Sequence, residues 1–93
     1  MNYQEMITEK AMLLKALAHP IRLCLVKKLC EQGNCNVTYF TNCMEASQSS
    51  ISQHLGKLRD LGILGFEKDG QNVHYFIKNE SVRGIVRSLF GED

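Results

Sequence analysis

The chain has 93 residues, a net charge of +1 and an apolar fraction of 44%. A chain this short makes one domain, and it buries only roughly 60–65% of its unfolded surface, so pairing with a second copy is a ready source of stability. The longest apolar clusters, Ala11-Met12-Leu13-Leu14 and Leu23-Cys24-Leu25-Val26, are too short to span a bilayer, and the start through Asn2, Gln4 and Glu5 lacks a signal-peptide core, so a cytoplasmic protein without a membrane partner is expected.

Residues 4–18 have the spacing of a first helix, with Met6, Leu13, Leu14 and Leu17 among its apolar positions. His19 is a capping candidate, and Pro20 suits the first turn of a second helix, where its missing N–H costs nothing. Ile21, Cys24, Leu25 and Leu29 give that helix a stripe to bury, and Gly33 is its expected stop. Thr38 is placed to cap a short third helix through Met44, with Phe40 and Met44 inward at i and i+4. Ser47 is placed to cap a fourth helix that ends near Leu61-Gly62. The period then changes. Leu64, Phe66 and Lys68 alternate with Gly65, Glu67 and Asp69, and Val73, Tyr75 and Ile77 alternate with His74, Phe76 and Lys78. Asp69-Gly70 between the two runs signals a hairpin. Residues 80–90 return to helical spacing through Val82, Ile85, Val86 and Leu89. The expected fold class is mainly α with a small β-hairpin, in the order α-α-α-α-β-β-α. Third and fourth helices joined by about three residues make a helix-turn-helix, and the hairpin is its wing.

The most informative segment is Ser47-Gln48-Ser49-Ser50-Ile51-Ser52-Gln53-His54-Leu55. Ile51, Leu55 and Leu58 form one apolar stripe. With about 3.6 residues per turn, Ser49, Gln53, Gly56 and Lys57 fall on the opposite side. Hydroxyls, amides and an ammonium donate to phosphate oxygens, and Gln also pairs bidentately with adenine. Such a face suits a helix laid in the major groove of DNA. Net charge gives this reading little help. Residues 19–35 hold Arg22, Lys27, Lys28 and Glu31, a balance of +2, and residues 46–78 hold Lys57, Arg59, Lys68 and Lys78 against Asp60, Glu67 and Asp69, a balance of +1. Phosphate affinity per subunit is then modest and gains from a dimer.

In this order the chain resembles the ArsR/SmtB family of winged-helix repressors. The resemblance is carried by Leu14-Lys15-Ala16-Leu17-Ala18-His19-Pro20-Ile21-Arg22, by Gln48 to Leu55, by Leu58-Arg59-Asp60-Leu61-Gly62-Ile63-Leu64, and by Val73-His74-Tyr75-Phe76-Ile77. It spans nearly the whole chain. It implies a single domain, residues 1–93, that pairs with itself through the first (about 4–18) and last (about 80–90) helices. It also implies a palindromic DNA operator read by helix 47–61 and wing 64–78, and release by an inducer. Where Glu45 stands the family often has glycine, so a less usual turn or some strain is expected there.

The candidate DNA surface is Ser47, Gln48, Ser49, Ser50, Ser52, Gln53, His54 and Lys57, with Lys68, Gln71 and Asn72 at the wing. Gln48 and Gln53 are the expected base readers and the serines the expected phosphate ligands. His54 borders the buried stripe, which favours a hydrogen-bonded support over a reader. Arg22 fits phosphate contact or dimer support equally, and His74 fits either open solvent or the DNA backbone. Cys24 and Cys43 fit a core. Cys30 and Cys35 bracket Gly33 and are candidates for a redox pair. The resemblance places the family's Cys-x-Cys metal pair at Asn36 and Thr38 and its last-helix metal positions at Ser81, Gly84 and Arg87, so no metal or other cofactor is expected. A thiol enzyme lacks its signature: there is no Cys-x-x-Cys and no phosphate loop. A winged helix devoted to protein contacts remains the third reading, and the inducer has no visible site.

Overall fold

A computed structural model describes residues 1–91. The helices are α1 (Tyr3–Leu17), α2 (Pro20–Gln32), α3 (Val37–Cys43), α4 (Gln48–Asp60) and α5 (Ser81–Phe90). The strands are β1 (Asn34–Cys35), β2 (Leu64–Asp69) and β3 (Asn72–Ile77). The expected helical order holds, with one addition. β1 pairs antiparallel with β3, Asn34 opposite Phe76 and Cys35 opposite Tyr75, so the hairpin is part of a three-stranded sheet in the order β1-β3-β2.

That extra strand also moves a cap. Pairing holds the chain extended through Cys35, and the first turn of α3 starts directly after it. Asn36, not Thr38, is the cap, and its side-chain oxygen accepts from the Tyr39 N–H at 2.8 Å. Phe40 is fully buried, whereas Met44 is a half-buried, extended residue beyond the helix end. The turn from Met44 to Ala46 needs no left-handed residue, since only glycines among the described residues have positive φ. Glu45 therefore sits there without backbone strain.

α4 is delimited at both ends by its own sequence. Ser47 Oγ accepts from the Ser50 N–H at 3.1 Å. At the far end the Ile63 N–H donates to the Leu58 carbonyl at 3.0 Å, and Gly62 takes φ +77°. This is a Schellman end, in which glycine supplies the left-handed residue. It turns the chain straight into β2. Leu64 then pairs with Ile77 and Asp69 with Asn72, leaving Gly70 and Gln71 as a two-residue turn. Gly70 has φ +65°, the requirement for the first central position of a II′ turn.

The core lies between α2, α4, α5 and the inner face of the sheet. Leu25, Val26, Leu29, Phe40, Ile51, Leu55, Leu58 and Val82 are completely buried there. In α2 the buried set is Leu25, Val26 and Leu29, with Ile21 and Cys24 only half-buried at its margin. α1 is the exception. It buries Ala16 and Leu17 at its end but exposes Tyr3, Met6, Ile7, Met12 and Leu14. Of the apolar positions Met6, Leu13, Leu14 and Leu17, Leu17 alone is buried, and Leu13 packs on the margin of the core.

Candidate nucleic-acid interface

α4 presents two faces of opposite chemistry. Ile51, Leu55 and Leu58 have no exposed surface, while Ser47, Gln48, Ser49, Ser52, Gln53 and Lys57 face solvent and Ser50 is half-buried. No acidic residue stands in the first turn. The helix start therefore offers N–H groups and its positive dipole end together with serine hydroxyls and the Gln48 amide, a combination suited to phosphate. The first acid of the helix is Asp60 in its last turn, where Arg59 lies 3.4 Å away. The Arg59 guanidinium also sits 5.2 Å from the centroid of the Phe66 ring, tying the end of α4 to the base of the wing.

His54 is half-buried, and its Nδ1 accepts from Arg22 Nε at 3.0 Å. The His19 ring lies against it, with centroids 4.4 Å apart. Burial, then His19, then the Arg22 guanidinium hold the His54 pKa below the ordinary histidine value. His19 caps α2, as expected, with its Nδ1 accepting from the Ile21 N–H at 3.1 Å. Arg22 has no partner that the sequence alone could indicate. Its partner stands 32 positions away, beyond any periodic signal.

At the wing, Lys68, Gln71 and Asn72 are all exposed around the Gly70 turn. Lys68 is flanked in sequence by the exposed Glu67 and Asp69, whose side chains alternate to the other face of β2. His74 is half-buried on the outer side of β3, opposite Glu67.

The four cysteines are free thiols, and Cys30 and Cys35 lie in different surroundings. Cys30 is half-buried beside α5, where the charges acting on it are those of Arg83, Glu80, Arg87 and its neighbour Glu31. Cys35 is buried in β1 and senses Cys43 and Lys28 instead. Desolvation pushes both thiols above the ordinary cysteine pKa, which suppresses the reactive thiolate. Cys43, expected in the core, is exposed at the last residue of α3. Among the described residues no group of three or more His, Cys, Asp or Glu side chains is placed to hold a metal ion. Asn36 is occupied as a helix cap, and α5 carries Ser81, Gly84 and Arg87. No helix among the described residues is long and apolar enough to cross a membrane.

A family model described as "Bacterial regulatory protein, arsR family" matches residues 19–64, which run from the cap of α2 to the start of β2. The chain is 37% identical over 81 residues to the HTH-type transcriptional regulator YgaV of Escherichia coli, covering 87% of this chain and 82% of that protein. It is also 37% identical over 83 residues to the transcriptional repressor PagR of Bacillus anthracis, covering 89% and 83%.

The chain belongs to the arsR family.

The fold agrees along its length. The crystal structure of PagR superimposes with a TM-score of 0.84 at 36% identity, covering 95% of this chain and 99% of that one. HlyU from Vibrio cholerae gives 0.84 at 28% identity, covering 99% and 100%. As a member of the arsR family this winged-helix protein is a DNA-binding transcriptional regulator and not an enzyme.

Proposed function

We propose that this arsR-family protein is a cytoplasmic, homodimeric repressor that binds a palindromic operator through α4 and the wing. The observation that carries the reading is the division of α4: a fully buried Ile51/Leu55/Leu58 stripe behind a donor-rich surface free of carboxylates from Ser47 to Lys57. Gln48 and Gln53 read base edges, Ser49, Ser50 and Ser52 donate to phosphates, and Lys57 adds a charged contact. Ser47 serves mainly as the cap. Lys68, Gln71 and Asn72, all exposed around the Gly70 turn, reach the backbone or minor groove from the wing. The name of PagR supports repression.

Two observations support the dimer. α1 leaves Tyr3, Met6, Ile7 and Leu14 exposed at helical spacing, and α5 leaves Leu89 and Phe90 exposed. Apolar helix faces of this kind are stable once a second copy covers them. A two-fold axis then predicts half-sites about one helical turn apart, roughly 10 bp, or a multiple of it. The test is a mobility shift on the DNA upstream of the protein's own gene, with a scrambled duplex as control. Gln53→Ala is expected to lose the preference for the specific duplex, and an unchanged preference sinks α4 as the reading surface.

A further inference from the structure

α4 is joined to the end of α1 by one side chain that lies outside both the core and the donor-rich surface. Arg22, half-buried on α2, donates from Nη1 to the Ala16 carbonyl at 3.4 Å and from Nε to His54 Nδ1 at 3.0 Å. Arginine has donors only and stays charged. Nδ1 of His54 must therefore present its lone pair, and the neutral ring carries its proton on Nε2. His54 follows Gln53 directly and precedes Lys57 by one turn, so the contact acts on the segment that faces DNA. We propose that Arg22 is a positioning residue for DNA reading, which locks His54 as the neutral Nε2–H tautomer and so fixes the setting of α4 against the α1–α2 junction. The inference rests on the assignment of α4 as the DNA-facing helix.

The same geometry makes the lock sensitive to acid. A proton on His54 Nδ1 turns the acceptor into a donor that faces Arg22 Nε, and it places a second cation beside the guanidinium. The groups set against His54 are Arg22 from α2 and His19 from the α1–α2 junction, with Lys57 one turn along α4 itself; no carboxylate among the described residues acts on it. Burial, then His19, then the Arg22 guanidinium hold its folded pKa below the 6.5 of an unperturbed histidine. The unfolded or released ring therefore takes a proton first. The lock is at full strength above 6.5 and is lost as the pH falls through the lower folded value.

Two measurements test this. The first needs no DNA: long-range NMR correlations of the His54 imidazole in the free protein. The expected result is the Nε2–H tautomer in the native protein and a mixture of tautomers in Arg22→Met. An Nδ1–H ring, or an unchanged ring in Arg22→Met, overturns the proposal. The second is affinity for operator DNA against pH and salt. Arg22→Met is expected to bind about tenfold more weakly near pH 8 with the salt slope unchanged, whereas a shallower slope would make Arg22 a phosphate ligand instead. His54→Gln keeps an acceptor for Arg22 but cannot titrate. It is expected to bind more tightly than His54→Ala near pH 8 and to lose less affinity than the native protein as the pH falls below 6.5. Equal pH profiles overturn the switch. If Arg22→Met does not fold, His54→Ala against His54→Gln gives the same comparison, with loss in the first and rescue in the second. Failure of the native protein to bind any duplex removes the DNA reading and the positioning role with it, while the tautomer result still reports the contact itself.

Discussion

The far end of the Phe76 ring on β3 reaches over Gly65 on β2, so close that a Cβ built on Gly65 would stand 2.5 Å from the ring's Cζ. The two residues are direct cross-strand partners, and the missing side chain on one is what lets the other cover the sheet. A glycine inside a strand is otherwise a weak choice. Gly65→Ala is expected to push the ring aside and destabilise the protein by about 1–2 kcal/mol, a fall of roughly 5–10 °C in melting temperature for a domain of this size. Replacing Phe76 by Val in the same chain should return part of that loss. Calorimetry on the two single variants and the double variant measures the coupling, and strict additivity would show that the ring does not depend on the glycine.

Lys57 and Gln53 share the exposed face of α4 but are expected to fail differently. Lys57→Ala removes one charge that displaces a counterion from DNA. Binding should weaken on every sequence, and the slope of log affinity against log salt should become shallower by about one. Gln53→Ala should keep the slope and lose about 1–3 kcal/mol of preference for the specific operator. Anisotropy titrations across a salt series separate the two. A loss of discrimination in Lys57→Ala would mean that the reading positions on α4 are misassigned.

Most of this architecture was legible because local chemistry and tertiary packing agree. His19 and Ser47 cap the helices they precede, Gly33 and Gly62 stand where α2 and α4 end, and Asp69-Gly70 marks the hairpin turn. What was not legible depends on partners far away in sequence. β1 is only two residues long, too short for a period of two, and it exists because β3 offers it an edge. Its pairing moves the cap of α3 from Thr38 to Asn36. Arg22 and His54 meet across 32 positions, and neither flanking pattern announces the contact. Cys30 and Cys35 looked like neighbours because both flank Gly33, yet one is set beside α5 and the other senses Cys43.

Differences in burial set an order of thiol reactivity. Cys43 is exposed, Cys24 and Cys30 are half-buried and Cys35 is buried, and burial raises the pKa of Cys30 and Cys35. Alkylation near neutral pH followed by peptide mass mapping is expected to label Cys43 first and Cys35 last. Raising the pH speeds Cys30 and Cys35 later than a free thiol, since each thiolate forms only above the ordinary value. Rapid labelling of Cys35 at neutral pH would show that β1 opens readily from β3.

The exposed face of α1 makes the sharpest claim about assembly. Leu14 is 55% exposed in a single copy, so Leu14→Glu should cost an isolated subunit little. In a dimer closed through α1 and α5 the same change buries a carboxylate or forfeits the leucine contact, about 2 kcal/mol for each copy. A two-fold interface uses every contact twice. The dimer dissociation constant is then expected to rise roughly a thousandfold, with a melting temperature that no longer depends on protein concentration. Sedimentation equilibrium on the native and Leu14→Glu proteins reads this directly. Leu89→Glu on α5, at 62% exposure, should repeat the result. Unchanged association in both variants would place the dimer contact on another face, and native protein that remains monomeric at high concentration would end the two-half-site model of the operator.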